Sequence, residues 1–399
     1  MRRCIFWIML IVLLYALVEG LSYSYVFFNK QKLSIQYEPV DTLSNKKKKA
    51  LRNFLRRTRR KNNYLKFSST LGWTIKEHGK RGLLYQANSS GIRSNKEYEL
   101  KPPDNVLRIS TFGDSFTHCN DVSNDETWQA ILENITTDLE AINFGVGGYG
   151  LDQAYLRYLE EGLPYKSHIV FIGYYTEDIF RHVTTFWPFF SPETGVILTK
   201  PRFIIEDEVL LLIPNPIREL DDYTTMLRQP KEILRKIGSN DFYYSQRYTS
   251  SFFDFSPTVR LSKIAAHRIS NRFSERIIVD GQYNETSQAF RITKKIFDKF
   301  YADVVNNNAI PVILIFPNKR DIVRYRTQKT KHYLPLMRYF NAKGYQYIDF
   351  MHVFIGTGED YATTNLFGGK GHYSPFANYL VAMHLHEYLK NHSLSYSVQ

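Results

Sequence analysis

The chain of 399 residues has only two cysteines, Cys4 and Cys119. Two cysteines are too few for a disulfide scaffold or for a zinc site built from cysteine. Internal repeats, collagen-like triplets and coiled-coil heptads are also missing, which excludes repeat and fibrous folds. The remaining composition, 43% apolar and 23% charged, is that of a globular chain. Its length suffices for one large α/β domain with insertions or for two smaller domains.

Excess positive charge is scarce outside the N-terminal segment. The formal net charge is +13, but residues 1–61 carry 14 Lys and Arg against 3 Asp and Glu, a net of +11. The other 338 residues carry 38 basic and 36 acidic side chains, a net of +2. Because a nucleic-acid-binding fold needs a basic surface, the nearly neutral body predicts no nucleic-acid partner.

A long apolar run occurs only at the N-terminus, where Arg2 and Arg3 precede fifteen uncharged residues from Cys4 to Val18. This length lies between the ~7–15 apolar residues of a signal peptide and the ~20 of a membrane span. If the span continues to Phe28, Glu19 lies inside it at a cost of up to ~2.5–3.5 kcal/mol. We predict an uncleaved signal anchor at 1–28 in a single-pass membrane protein, with a cleaved signal peptide as the alternative.

Residues 29–63 are interpreted as a basic linker. Ten positive charges lie between Lys46 and Lys61, and a literal positive-inside count places the body in the cytoplasm. Leu51, Phe54 and Leu55 have helical spacing within this run, which fits a short amphipathic helix on anionic lipid. A solvated linker between anchor and body is the alternative.

The body, 64–399, alternates apolar runs with helical patterns. Strands are predicted at Val106–Thr111, Leu139–Val146, His168–Tyr175, Ile310–Phe316 and Tyr345–Phe350. Near-continuous apolar strands separated by helices indicate a parallel sheet covered on both faces. The predicted fold is therefore a three-layer α/β/α sandwich of the flavodoxin-like type with one large insertion, about 180–287.

The insertion is rich in aromatic residues and contains a predicted hairpin at Phe203–Ile213. Aromatic side chains at this density fit a platform on which sugars stack, or simply a hydrophobic core. The residues concerned are Trp187, Phe189, Phe190, Phe242, Tyr243, Tyr244, Phe252 and Phe253. We interpret the insertion as an addition to the ligand-binding edge of the sheet and not as an independent domain.

Four polar motifs coincide with the predicted strand ends, where ligands of open parallel sheets bind. They are Gly113-Asp114-Ser115-Phe116, Asn143–Gly150, Thr176-Glu177-Asp178 and, before the last helix, Gly368–Pro375. Singly, a serine before a helix is a common N-cap and His372 is an ordinary loop histidine. Together, a serine on a tight turn, a glycine-rich turn whose N–H groups can approach an anion, and a histidine indicate nucleophilic catalysis.

In this order the motifs resemble those of the SGNH (GDSL-like) hydrolase superfamily, over about Val106–Leu389 without the insertion. Asn88–Arg93 is also similar to the leader of anchored or secreted members associated with bacterial surface polysaccharides. The resemblance implies that Ser115 is the nucleophile, that His372 is its general base, and that the Ser115 and Gly148 N–H groups help to form the oxyanion hole. It further implies a carbohydrate ester substrate, no cofactor or metal, and a periplasmic or extracellular body, opposite to the charge count.

Two positions depart from the family pattern. Glu177 stands where the family has an Asn that donates to the oxyanion, and a glutamate can donate only if burial keeps it protonated. Gly369 stands where the family has an Asp that orients the histidine. We take Asp349, at the end of the fifth strand, as the candidate carboxylate that orients His372. The alternatives are Glu359, Asp360 or a Ser-His dyad.

His118, three residues after Ser115, could be mistaken for the base, but a structural role is expected from its place in the following turn. The motifs predict a serine esterase or O-acyltransferase acting on an acyl ester of a glycan, with acetyl favoured. The alternative is a non-catalytic glycan-binding or polysaccharide-assembly protein on the same fold, with Glu177 and Gly369 as marks of decay. The presence of Ser115, Gly148 and His372 together favours the enzyme.

Overall fold

The computed structural model describes residues 2–29, 33, 37–58, 63–192, 196–356 and 362–392. The first helices are α1 (Arg2–Phe28), α2 (Asn45–Thr58), α3 (Ser115–His118), α4 (Trp128–Ile135), α5 (Leu151–Arg157), α6 (Trp187–Phe190), α7 (Asp222–Arg228) and α8 (Pro230–Gly238). They are followed by α9 (Pro257–Ser270), α10 (Gln288–Asn306), α11 (Lys319–Gln328), α12 (Leu334–Lys343), α13 (Met351–Ile355), α14 (Ala362–Asn365) and α15 (Pro375–His392).

The strands fall into one large sheet and several short hairpins. The sheet strands are β5 (Leu107–Phe112), β6 (Leu139–Asn143), β7 (Ile169–Tyr175), β12 (Ile310–Phe316) and β13 (Tyr347–Asp349). The hairpin strands are β1 (Leu65–Ser68), β2 (Gly72–Ile75), β3 (Lys80–Arg81), β4 (Tyr85–Gln86), β8 (Arg202–Glu206), β9 (Val209–Ile213), β10 (Ile278–Val279) and β11 (Gln282–Tyr283). The hairpin predicted at Phe203–Ile213 is the antiparallel pair β8–β9.

The central sheet is parallel, with the order β13-β12-β7-β5-β6. Every predicted sheet strand is present, and β7 and β12 are buried on both faces except for Ile310 at the start of β12. The predicted α/β fold with a central parallel sheet is therefore confirmed. Within the sheet, the chain runs first along β5, then along β6 at one edge, and returns to β7 on the other side of β5. This reversal makes the end of β5 a topological switch point, where ligands of such sheets bind.

Helices cover both faces of the sheet. On one face, Trp128 and Leu132 of α4 and Leu385 of α15 are fully buried in the same cluster as Phe171 of β7. On the other face, the Phe297 ring of α10 lies 5.6 Å from the Tyr174 ring of β7 in an edge-on contact. Because successive residues of a strand point to opposite faces, Phe171 and Tyr174 serve different layers. The result is the three-layer sandwich predicted from the sequence.

The chain divides into two compact units. The larger unit comprises Phe54–Val183, Thr199–Arg218 and Arg276–Gln399, and contains the sheet. The smaller unit comprises Met1–Asn53, Thr184–Leu198 and Glu219–Glu275. These boundaries differ from the predicted linker at 29–63, body at 64–399 and insertion at about 180–287. The β8–β9 hairpin belongs to the larger unit because Lys200 forms a fully buried ion pair with Asp152 there.

The smaller unit has its own core and its own buried polar contacts. Tyr223, Met226 and Leu234 are fully buried. Asp41 accepts hydrogen bonds from Ser250 N at 2.6 Å and from Arg235 Nε at 3.1 Å. The N-terminal segment is therefore part of this unit. Leu51 of α2 is also fully buried, so the apolar side of this basic helix is covered by protein at that position.

The aromatic residues of the insertion lie in three different environments. Trp187 and Phe189 are buried. Phe190 and Tyr243, whose rings lie 5.2 Å apart, line a cavity of about 230 Å³ within the smaller unit. Phe252 and Phe253 are exposed. A stacking platform for sugars remains a prediction.

Helix α1 contains 27 residues and is long and apolar enough to cross a membrane. Its apolar side chains are exposed along its length, and none of its residues is buried in the protein. A signal sequence has the same properties, so α1 fits either of the two N-terminal interpretations.

Candidate active site

Ser115 lies on the tight turn that joins β5 to the short helix α3. Asp114 caps this helix, because its Oδ1 accepts the Phe116 N–H at 2.8 Å. The Ser115 side chain is nearly buried, and its Oγ donates to Asp114 Oδ2 at 3.3 Å. The serine therefore stands at the switch point of the sheet, on a turn that its own neighbour stabilises.

The glycine-rich turn after β6 packs directly on this serine turn. Val146 N donates to Gly113 O at 3.0 Å, and a Cβ at Gly145 would lie 2.3 Å from His118 N. Gly148 has a φ of +83°, a conformation that side-chain-bearing residues rarely adopt. Gly145 is thus required for the close approach of the two backbone segments, and Gly148 for the conformation of the turn. Gly148 belongs to the same turn, beside the serine turn.

His372 lies on a small loop before α15. The loop is closed by hydrogen bonds from Gly368 N to His372 O at 2.7 Å and from Ser374 N to Leu366 O at 2.9 Å. The next residue, Tyr373, is buried and donates from its hydroxyl to Pro317 O at 2.8 Å. The His372 ring lies 5.5 Å, centroid to centroid, from the ring of Phe116, the neighbour of Ser115. Two sites separated by 256 positions in the sequence thus meet at one sheet edge.

Asp121 is the carboxylate that faces His372. Its Oδ1 lies 3.2 Å from His372 Nδ1, an ion-pair distance without hydrogen-bond alignment. Its Oδ2 accepts the Lys370 N–H at 3.1 Å and the His372 N–H at 3.5 Å. Asp121 therefore holds the backbone of the histidine loop as well as facing the imidazole. No motif in the sequence pointed to Asp121.

Asp349, the carboxylate predicted for this role, has other partners. It accepts from Lys331 Nζ at 2.6 Å, from Tyr333 OH at 3.0 Å and from Met351 N at 3.0 Å. Asp121, and not Asp349, faces His372. Asp349, the last residue of β13, forms a buried ion pair with Lys331. The two other candidates, Glu359 and Asp360, lie outside the described residues.

No hydrogen bond joins Ser115 Oγ to His372 within the described part of the chain. The serine hydroxyl is oriented toward Asp114 and the histidine ring is one-fifth exposed. Catalytic hydrogen bonds are often long or poorly aligned in unliganded enzymes and shorten when substrate binds. This arrangement therefore fits a resting site.

Glu177, at the end of β7, is an acceptor and not a donor. Its Oε1 accepts from Arg320 Nη2 at 2.5 Å and from Asn318 Nδ2 at 3.2 Å. Both contacts use the carboxylate as an acceptor, so neither provides a donor for an oxyanion. The departure seen in the sequence is a real change in the chemistry of this position.

Arg181 links this segment to the serine turn. Its Nη1 donates to Asp114 Oδ2 at 2.7 Å, to Asp178 Oδ1 at 2.9 Å and to Tyr149 O at 3.0 Å. Burial raises the pKa of Asp178, and the charge of Asp114 raises it further. Burial alone would lower the pKa of Arg181, but Asp178 and Asp114 raise it, so the guanidinium stays charged. Arg181 thereby fixes the carboxylate that Ser115 contacts.

His118 is structural, as expected. Its Nε2 lies 2.6 Å from the Tyr64 hydroxyl, and Arg93 Nη1 donates to its Nδ1 at 3.1 Å. Burial, and then the charge of Arg93, lower its pKa well below the ordinary value, so the ring is neutral. Arg93 also donates to the carbonyls of Cys119 and Val122, both at 2.6 Å. It therefore holds the loop on which Asp121 stands.

The site has no evident metal-binding character. Among the described residues, no group of three or more His, Cys, Asp and Glu could hold a metal ion.

Comparison with known proteins gives no match to a family model and no match among curated proteins. Solved structures that resemble the chain include a putative lipolytic protein of the G-D-S-L family from Desulfitobacterium hafniense, with 13% identity, 70% of this chain and 98% of that chain covered, and a TM-score of 0.34. A putative acylhydrolase from Bacteroides fragilis has 10% identity, covers 73% of this chain and 90% of its own, and has a TM-score of 0.34. A catalytic variant of an acetylxylan esterase from Geobacillus stearothermophilus has 9% identity, coverages of 72% and 95%, and a TM-score of 0.34.

Proposed function

We propose that the protein is an SGNH-type serine esterase or O-acyltransferase that acts on an acyl ester of a glycan, with acetyl as the favoured acyl group. The observation that carries the proposal is the pairing of His372 with Asp121 beside the Ser115 turn. A serine is a weak nucleophile until a base accepts its proton, and an imidazole is an effective base when a carboxylate stabilises its protonated form. His372 and Asp121 lie beside the turn that carries Ser115, at the switch point of the sheet.

The proposed reaction begins with attack of Ser115 Oγ on the ester carbonyl, while His372 accepts the hydroxyl proton. The Asp121 carboxylate stabilises the resulting imidazolium. Backbone N–H groups of Ser115 and Gly148 donate to the developing oxyanion. His372 then gives its proton to the departing alcohol, and an acyl group remains on Ser115 Oγ.

The second half of the reaction transfers this acyl group to an acceptor hydroxyl. His372 removes the proton of water in an esterase, or of a sugar hydroxyl in an acyltransferase, and the acceptor oxygen attacks the acyl carbon. Ser115 Oγ leaves with the proton held by His372. Glu177, a hydrogen-bond acceptor, provides no third donor, which predicts slow turnover with simple esters.

We further propose that α1 anchors the protein in a membrane as a single-pass helix. Its exposed apolar length supports this proposal, since 27 helical residues exceed the ~20 needed to cross the hydrocarbon layer. The resemblance to anchored or secreted members supports a body in the periplasm or outside the cell. A carbohydrate ester in that compartment is the proposed substrate.

The second candidate function is glycan binding without catalysis. Two observations favour it: the Ser115 hydroxyl is oriented to Asp114, and Glu177 is held by Arg320 and Asn318. In that case the serine has no special reactivity. The two candidates therefore differ in one measurable property, the nucleophilicity of Ser115.

The decisive experiment is labelling of the full-length protein in detergent with a fluorophosphonate serine probe. Ser115→Ala and His372→Ala are the test variants. Ser90→Ala, which removes an exposed hydroxyl elsewhere in the larger unit, is the matched control. Labelling that is retained in the control and lost in both test variants supports the enzyme. A folded wild-type protein that takes no label contradicts it and favours glycan binding.

A further inference from the structure

A cluster of exposed aromatic rings lies in the smaller unit, away from the residues of the proposed reaction in the sequence. The 3₁₀ turn Phe252–Phe255, called here the aromatic turn, exposes 85% of Phe252, 61% of Phe253 and 72% of Phe255. Soluble proteins rarely expose several large apolar side chains in one patch without a binding partner. The aromatic turn is therefore a candidate interaction surface.

The aromatic turn is a built structure and not a loose loop. Asp254, between the exposed rings, is buried and accepts the Ser251 N–H at 3.0 Å. Lys263 of α9 donates to the same carboxylate at 2.6 Å. These contacts fix the backbone of the turn. The three phenylalanine rings point outward, although their exposure to water is unfavourable.

The chain directly after the aromatic turn contacts the apolar helix α1. Ser256 Oγ donates to the Glu19 carboxylate, and Thr258 Oγ1 donates to Ser22 Oγ at 2.9 Å. Glu19 and Ser22 are half-buried, whereas the α1 residues from Ile11 to Val18 are exposed. The aromatic turn therefore lies beside α1 at the level of Glu19 and Ser22.

This level coincides with the expected surface of a bilayer. The hydrocarbon layer is ~30 Å thick, and a helix rises ~1.5 Å per residue, so a span needs ~20 residues. A span that begins at Cys4 ends near Tyr23, which puts Glu19 and Ser22 close to the boundary. Aromatic side chains concentrate in this interfacial region. Glu19 is the acidic residue that makes a continuous membrane span costly. In the structure its carboxylate accepts a hydrogen bond from Ser256 near this boundary.

The helix that follows carries the complementary charge for anionic lipid. Arg260, Lys263 and Arg268 lie in α9, Arg272 follows it, and residues 257–273 contain no Asp or Glu. Basic residues near a membrane surface are attracted to anionic headgroups. Exposed rings at the boundary and basic side chains beside them form the pattern of an interfacial membrane contact.

We propose that the aromatic turn inserts into the membrane interface beside α1 and that Arg268, near the end of α9, and Arg272, just after it, bind anionic phospholipid headgroups. The inference rests on the proposed anchor, not on the chemistry of Ser115. Because α1 alone would allow rotation about its own axis, the second contact fixes the orientation of the smaller unit on the bilayer. The partner is thus the lipid surface itself.

The test uses the full-length protein reconstituted into phosphatidylcholine vesicles, with and without phosphatidylglycerol. An environment-sensitive fluorophore is attached at Phe253→Cys in a Cys4→Ser background, and doxyl-labelled lipid is the quencher. Cys119 does not interfere, since it is buried and burial raises the pKa of its thiol to about 12. Wild-type protein labelled at Cys4 reports on the anchor. Ser239→Cys, at an exposed site of the same unit, is the matched control.

The proposal predicts a blue-shifted emission and severalfold stronger quenching at position 253 than at 239, with a further increase when phosphatidylglycerol is present. Quenching at Cys4 without excess quenching at 253 overturns the proposal and leaves the anchor intact. Absence of quenching at Cys4 overturns the anchor and the proposal with it. Arg268→Gln with Arg272→Gln is expected to remove the phosphatidylglycerol effect alone, and an unchanged effect contradicts the headgroup contact.

Discussion

The two sides of Ser115 differ in the chemistry that they provide. On the base side, formed by residues 113–121 and 366–374, Asp121 faces His372 and also holds its loop. On the β7 side, formed by residues 173–181 and 318–320, Glu177 is neutralised by Arg320 and offers no donor. In the proposed mechanism the groups for proton transfer lie together, whereas Glu177 stands where the resemblance implies an oxyanion donor.

In the proposed mechanism, the base side and the β7 side of the serine site can change independently. A proton-transfer pair acts through the imidazole, whereas an oxyanion donor acts on a different atom of the substrate. Loss of one donor slows the reaction without removing the nucleophile. We therefore expect Ser115 to react with esters but to turn them over slowly. The variants below test the two sides separately.

The largest effect is expected from Ser115→Ala, which removes the nucleophile common to both sides. If Ser115 forms the acyl intermediate, hydrolysis of p-nitrophenyl acetate should fall by at least about 10³-fold. The Ser90→Ala variant should keep the wild-type rate. Equal rates in Ser115→Ala and wild type would mean that Ser115 and the base side do not catalyse this hydrolysis.

The next effect separates the two carboxylates Asp121 and Asp349. Asp121→Asn should lower kcat by about 10²–10⁴-fold because an amide does not stabilise an imidazolium. Asp349→Asn should leave kcat near the wild-type value but cost ~3–5 kcal/mol of stability, since Lys331 then loses its buried partner. Rates and urea unfolding of both variants check this. The reverse pattern would restore Asp349 as the orienting carboxylate.

A gain of activity is expected from Glu177→Asn on the β7 side. An asparagine can donate to the oxyanion where the glutamate cannot, which should raise kcat by up to about 10²-fold. Glu177→Gln, whose amide lies one methylene farther from the backbone, is the matched control and should gain less. If neither variant is faster than wild type, Glu177 does not occupy an oxyanion position.

The smallest effects concern two buried histidines, His118 on the base side and His182 directly after the β7 side. Burial lowers the pKa of His182 to about 3, and burial with the charge of Arg93 lowers that of His118. Both folded-state pKa values lie below the unfolded value of about 6.5, so stability is present above pH 6.5 and is lost as the pH falls below it. His182 should account for about 2 kcal/mol of the loss between pH 6.5 and 5, and His118 should add to it in the same direction.

Urea unfolding at these two pH values checks this prediction. His182→Gln keeps a donor for the Ala289 carbonyl, which His182 Nε2 contacts at 3.1 Å, and should make the protein less sensitive to acid. His118→Gln should do the same on the base side. An unchanged loss of stability in both variants would show that other groups cause the acid sensitivity.

The parts of the site that could be predicted are those with local signals. Ser115 and the glycine-rich turn follow apolar strands, and parallel strands bring their carboxyl ends to one edge. Glu177 was recognised because it replaces a residue of a known motif. Asp121 had no such signal, since its partner His372 is 251 residues away and the usual nearby position holds Gly369.

The sheet strands and the apolar N-terminal helix could be predicted from the amino-acid sequence, because the period of apolar residues acts over a few positions. Ser115 and His372 were selected through the resemblance of their motifs to a known family. The contacts of Asp121 with His372 and of Arg181 with Asp114 are visible only in the folded chain. The same is true of the aromatic turn beside α1. These contacts join distant segments, and their geometry depends on how whole elements pack, which no local pattern encodes.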